Sequence, residues 1–110
     1  LAKSDFDELL RRPLLNEITF AQAETRVAAG GQWLDVRFPS EYQHDRISQA
    51  VNIPLGELRH ALDVLDKGVE YITYCQSGRR SAAAAFLLAQ HGFRAAVLIG
   101  GLHGARSASS

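Results

Sequence analysis

The 110-residue sequence predicts an α/β domain built on a central, mostly parallel sheet of about five strands with helices on both faces. Three observations lead there. Short β-branched or apolar runs recur around 16–19, 32–36, 50–53, 71–74 and 95–99, and stretches with helical periodicity separate them. The last run, Ala95-Ala-Val-Leu-Ile99, is apolar at every position, as in a strand covered on both sides. Strand alternating with helix calls for right-handed crossovers, which join parallel neighbours.

In order, Leu1 to Pro13 is charged, with Phe6, Leu9 and Leu10 placed to share one helical face before Pro13 breaks it. It reads as a solvated linker or helix over 1–13, ahead of a domain spanning 14–104 and a Ser-rich, disordered tail over 105–110. Asn16 to Thr19 predicts a first strand. Thr19 and Gln22 have capping-box spacing, and Phe20, Ala23, Val27 and Ala28 form an apolar stripe that stops at Gly30-Gly31. Gln32 to Val36 predicts a strand packed through Trp33 and Leu34. Pro39-Ser40-Glu41-Tyr42 predicts a turn into one short helix capped by Ser40, with Arg37 and Glu41 open to an ordinary surface ion pair.

Ala50 to Ile53 reads as a short buried strand closed by Pro54. Leu55, Leu58, Leu62 and Leu65, with Ala61, predict an amphipathic helix laid on the sheet. Lys67-Gly68 then turns the chain into the central strand. Ser81 to His91 is apolar on nearly every side, which predicts a buried helix ended by Gly92.

Chemistry concentrates in Tyr71-Ile-Thr-Tyr-Cys75-Gln-Ser-Gly78-Arg-Arg80-Ser-Ala. A strand delivers the only cysteine to a short polar loop, and a helix starts directly afterwards. Such a loop aims backbone N–H groups at one point, where the helix dipole adds partial positive charge. An ordinary thiol has a pKa of about 8.5, and each unit of depression favours the thiolate by about 1.36 kcal/mol. Cys75 is therefore the candidate nucleophile, Gln76, Ser77 and Gly78 the cradle, and Arg79 and Arg80 the nearby positive charge, with Arg80 expected closer to the reacting group. Asp35 falls at a strand end beside Cys75, where ligands of open α/β sheets gather.

The loop Cys75-Gln-Ser-Gly-Arg-Arg-Ser-Ala, with Leu34-Asp-Val-Arg37, Ala50-Val-Asn-Ile-Pro54 and Gly100-Gly101 in order, resembles a single-domain rhodanese over Asn16 to Gly104. The resemblance implies a rhodanese-like fold and a thiosulfate-sulfurtransferase type of enzyme. Its cysteine takes a sulfane sulfur from a small anionic donor, holds it as a persulfide and passes it to a thiol or cyanide-like acceptor. It also makes Asp35 and Arg37 a shell that supports the loop. Relatives occur fused to regulatory modules, which would explain a linker at 1–13. Two departures stand out. Relatives commonly carry Gly-His-Ile and Pro-Gly-Ala where this chain has Asp45-Arg46-Ile47 and Ser48-Gln49-Ala50, which predicts a looser or differently routed loop. They tend to carry tryptophan soon after Gly100-Gly101, where this chain has Leu102-His103, which predicts a pocket more open on one side.

Composition narrows the alternatives. Twelve basic and twelve acidic residues give no net charge, so nothing draws the whole chain to nucleic acid or an anionic membrane. One cysteine leaves no internal disulfide or resolving thiol, which suits a reducing cytoplasm. No run approaches the roughly 20 apolar residues of a membrane span. The chain has no methionine, even at position 1, and reads as a piece of a longer protein. His44, His60, His91 and His103 have no metal-ligand spacing, and no cofactor is expected. Cysteine-phosphatase chemistry would need arginine where Ser81 stands. A non-enzymatic carrier or sensor of sulfane sulfur would use the same residues as the transferase.

Overall fold

A computed structural model describes residues 16–109. The expected segment over 1–13 lies outside the described residues. Among them the order is β1 (Glu17–Ile18), α1 (Phe20–Ala28), β2 (Gln32–Asp35), α2 (Pro39–His44), β3 (Val51–Asn52), α3 (Leu55–Ala61), β4 (Glu70–Tyr74), α4 (Arg79–Gln90), β5 (Arg94–Leu98) and α5 (Gly101–Ser109). No helix among the described residues is long and apolar enough to cross a membrane.

The strands form one five-stranded sheet, ordered β1-β5-β4-β2-β3, and every pairing is parallel. Parallel neighbours cannot be joined by a tight hairpin, so a helix carries the chain back after each strand. Side chains alternate along β4. Tyr71 joins Leu58, Ala84, Ala85 and Leu88 on the α3/α4 face, while Ile72 and Tyr74 join Ala23, Leu102 and Ala105 on the α1/α5 face. In register, Asp35 pairs with both Tyr74 and Asn52, so the ends of β2, β3 and β4 lie level. Cys75 is the next residue on.

Local chemistry starts and stops these helices. The Thr19 hydroxyl accepts the Gln22 amide at 3.1 Å and the Gln22 side chain accepts the Thr19 amide at 2.9 Å, completing the expected capping box. At the end of α4, Phe93 donates to the Leu88 carbonyl and Gly92 to the Ala89 carbonyl, the bond pair of a Schellman motif.

Several expectations change. Ser40 does not cap α2: Pro39 occupies its first turn, and the Glu41 carboxylate accepts the Phe38 amide at 3.0 Å. Ala28 is exposed, because one residue on from Val27 it lies about 100° round α1, off the stripe of Phe20, Ala23 and Val27. β3 lies at the sheet edge, which leaves Val51 exposed. The helix from Leu55 ends at Ala61 and tightens to a 3₁₀ turn over Leu62–Val64. α4 buries one stripe, Ser81, Ala84, Ala85 and Leu88, while Ala83 and Phe86 face outward.

The loop expected to be looser or differently routed is not loose but a tight turn. Ala50 donates to the Ile47 carbonyl at 3.1 Å, and Gln49 at the third position has φ 67, as a type II turn requires. The expectation of a disordered tail from 105 is also corrected, since α5 continues to Ser109. Leu102 and Ala105, one turn apart, are buried against Tyr74 and Leu98, and that burial holds the helix on the sheet.

Candidate functional site

β4 ends at Tyr74, and Cys75 to Gly78 form the connection to α4. Gly78 takes φ 110, a left-handed conformation that favours glycine, and bends the loop back over the cysteine. The Cys75 Sγ accepts the Gly78 amide at 3.0 Å and the Ser81 amide at 3.3 Å. The Ser81 hydroxyl is 3.5 Å from the sulfur and donates to the Gly78 carbonyl at 3.0 Å. Burial pushes the Cys75 thiol up. The Ser81 hydroxyl and the amides of Ser81, Gly78 and Ser77 more than offset that, leaving its pKa below the ordinary cysteine value. Cys75 is itself buried, while Gln76 and Ser77 in the loop above it are exposed.

What turns the Ser77 amide inward lies on α5. Leu102 donates to the Cys75 carbonyl at 2.7 Å and His103 to the Gln76 carbonyl at 3.2 Å. In a trans peptide the N–H points opposite to the C=O. Drawing the Gln76 carbonyl toward α5 therefore sends the Ser77 amide toward the sulfur. Gly101 permits the close approach, since a Cβ there would stand 2.8 Å from both the carbonyl carbon and the oxygen of Gln76.

A buried ion pair backs the loop. Arg37 Nε donates to both Asp35 oxygens at 3.0 and 3.2 Å, and Nη2 donates to Oδ2 at 2.7 Å. Nη1 reaches the Gln76 side-chain oxygen at 3.3 Å, and Nη2 also donates to the Asp45 carbonyl. Burial opposes the Arg37 charge, but the Asp35 carboxylate outweighs it and raises the pKa of the guanidinium. Asn52 donates to the Asp35 and Arg37 carbonyls, each at 3.0 Å, tying the pair to the edge strand. The Arg37–Glu41 surface pair that the sequence left open does not form: Arg37 goes to Asp35, and Glu41 goes to Arg80 at 2.8 Å. Arg79 is exposed.

The structure brings Cys75, Gln76, Ser77 and Gly78 together, with Arg37 and Asp35 behind them. Sequence reasoning missed Ser81 as a sulfur partner, Glu41 as the partner of Arg80, and Leu102 as the group that orients the loop. Ser81 had a signal, since it sits in the first turn of the helix that follows the cysteine. A cavity of about 380 Å³ lies on the α1/α5 side, lined by Trp33, Arg46, Ile47 and Leu102 among others, and does not include Cys75.

The match to the family model for a rhodanese-like domain covers residues 19–108. The chain belongs to the rhodanese-like family. Over 78 residues it is 38% identical to the thiosulfate sulfurtransferase PspE of Escherichia coli, covering 69% of this chain and 75% of that protein. Over 61 residues it is 41% identical to the putative sulfur carrier protein YrkF of Bacillus subtilis, covering 56% of this chain but only 33% of that one. A rhodanese-related protein from Thermoplasma volcanium superimposes with a TM-score of 0.76 at 31% identity, covering 84% of this chain and 92% of that structure. These relatives support a sulfur-transfer role for this rhodanese-like domain.

Proposed function

We propose that this domain is a sulfurtransferase in which the Cys75 thiolate attacks the outer sulfur of a thiosulfate-like anion. One S–S bond forms to Cys75 as another breaks, and sulfite departs with the bonding electron pair, leaving a Cys75 persulfide. A nucleophilic acceptor, a thiol or cyanide, then attacks the outer persulfide sulfur and returns the Cys75 thiolate. The single observation in support is the sulfur's surroundings: the Gly78 and Ser81 amides point at it and its pKa is lowered. The same amides suit the negative charge of the persulfide. Arg79, exposed beside the loop, brings positive charge to the donor's approach, while Arg80 stands there paired with Glu41. With no second cysteine in the chain, the acceptor comes from outside, which suits a reducing compartment such as the cytoplasm.

The test is intact mass after incubation with thiosulfate. The domain gains one sulfur atom, cyanide removes it, and Cys75→Ser gains none while keeping its fold. Loading that persists in Cys75→Ser would overturn the site assignment. A second reading, a carrier or sensor that releases sulfur only to a specific partner, is favoured by the burial of Cys75 and by the resemblance to a putative sulfur carrier. A gain that cyanide cannot remove supports the carrier, and no gain counts against both readings.

A further inference from the structure

Glu41 in α2 and Arg80 in α4 are 39 positions apart and meet in a two-pronged pair: Nη1 donates to Oε1 at 2.8 Å and Nη2 to Oε2 at 3.0 Å. Oε1 also accepts the Phe38 amide at 3.0 Å, and the guanidinium carbon lies 5.6 Å from the centre of the Phe38 ring. Both side chains are 32% exposed, so the pair lies at the surface beside the Cys75 loop. Three arginines stand around this loop. Arg37 is matched by Asp35, Arg80 is matched by Glu41, and Arg79 is exposed.

Arg80 is within electrostatic reach of the sulfur: Glu41 first, and Cys75 in smaller measure, stabilise its charge. The carboxylate that holds it stays ionised, because the hydrogen bonds from Arg80 pull Glu41 down to about 2. A donor arriving over the amide cradle therefore meets Arg80 and Glu41 as a neutral unit. Each further negative charge on the donor gains less from Arg80 than it would from a free guanidinium, and is repelled by Glu41.

We propose that Glu41 is a specificity-determining residue: by holding Arg80 in this pair, it sets the site for singly charged sulfur donors, thiosulfonates and organic persulfides, over the thiosulfate dianion. Glu41 acts through Arg80 and is a positioning residue, and the proposal rests on the transfer reading above. The step is the same for either class. The Cys75 thiolate bonds to the outer sulfur, the donor's S–S bond breaks, and its electron pair leaves on sulfite from thiosulfate, on methanesulfinate from methanethiosulfonate, or on the parent thiolate from an organic persulfide.

Methanethiosulfonate is the probe, because it replaces one charged oxygen of thiosulfate by a methyl group. The measurement is kcat/KM for Cys75 loading with each donor, in wild type and in Glu41→Gln, which keeps an oxygen for the Phe38 amide. Freeing Arg80 is expected to raise the thiosulfate value about fivefold and the methanethiosulfonate value less than about twofold, the size of one unit charge near the surface. In Glu41→Gln/Arg80→Gln the ratio of the two returns to the wild-type value, a restoration that a merely structural role for Glu41 would not produce. A ratio unmoved in folded Glu41→Gln, or still raised in the double variant, overturns the proposal. Should Glu41→Gln not fold, Arg80→Gln is measured instead. It strands the Glu41 charge and lowers the ratio about fivefold, and an unmoved ratio there overturns the proposal as well. If wild type loads from neither donor, the transfer reading falls and this proposal with it, whereas loading with an unmoved ratio sinks this proposal alone.

Discussion

The Leu102 amide at the start of α5 donates to the Cys75 carbonyl at 2.7 Å, so the last helix holds the peptide that carries the sulfur. The contact depends on Gly101, whose φ of 60 is left-handed and whose missing Cβ leaves room for the Gln76 carbonyl. Gly101→Ala is expected to cost about 1–3 kcal/mol of stability through strain and to slow sulfur loading at Cys75 more than about tenfold as the amides turn away. Urea denaturation and loading kinetics measure the two effects. Gly56→Ala is the contrast. A Cβ at that exposed helical site meets nothing within 4 Å, and the substitution is expected to stabilise by about 0.5–1 kcal/mol with loading unchanged.

Ser81 contributes its amide and its hydroxyl to the sulfur. With a thiol, the hydroxyl accepts the S–H and donates to Gly78. With a thiolate, its proton can turn to the sulfur. Ser81→Ala removes only the hydroxyl, so the amides still favour the thiolate, but less. The folded-state pKa of Cys75 moves back up, and the midpoint of alkylation by iodoacetamide shifts to higher pH by up to about one unit. At pH 7 the variant then reacts more slowly, and above the new midpoint it matches wild type. A midpoint that stayed put or moved down would leave the hydroxyl no part in thiolate stabilisation.

Arg37 and Asp35 form a pair almost without exposure, at 2% and 0%. Removing the cation alone, as in Arg37→Met, strands a buried carboxylate and is expected to cost about 3–5 kcal/mol, a large share of the roughly 5–15 kcal/mol that holds a domain folded. Arg37→Lys keeps the charge but cannot reach both Asp35 oxygens and Gln76 at once. It should remain folded at lower urea midpoints and load sulfur more slowly than wild type. Wild-type loading in a folded Arg37→Lys would confine the pair to holding the sheet ends.

What could be read beforehand follows sequence distance. Cys75, Gly78 and the start of α4 lie within a few residues of one another, so strand, loop and helix declared themselves, as did Thr19 with Gln22 in the capping box. The pairs that complete the site do not share a segment. Glu41 and Arg80 are separated by 39 positions and Arg37 and Gln76 by 39, and no local pattern announces such partners. α5 was hidden differently. Its glycines and serines are poor helix formers, and two buried side chains, Leu102 and Ala105, hold it on the sheet where propensity alone would leave it open.

The turn after α2 offers a test of stability apart from the site. Gln49 holds φ 67, is exposed, and sits where glycine is the residue best suited to the third position of a type II turn. The turn is kept because its surroundings fix it. Ala50 donates to Ile47, the Gln32 side chain donates to the Gln49 carbonyl at 2.9 Å, and the Tyr74 hydroxyl accepts the Ile47 amide at 3.1 Å. A left-handed non-glycine residue costs about 1 kcal/mol or more, and glycine removes that cost while giving back part of it as greater freedom in the unfolded chain. Gln49→Gly is therefore expected to stabilise by up to about 1 kcal/mol with sulfur loading unchanged. Lower stability would mean that the side chain holds the turn, and faster or slower loading would tie the turn to the loop through Tyr74.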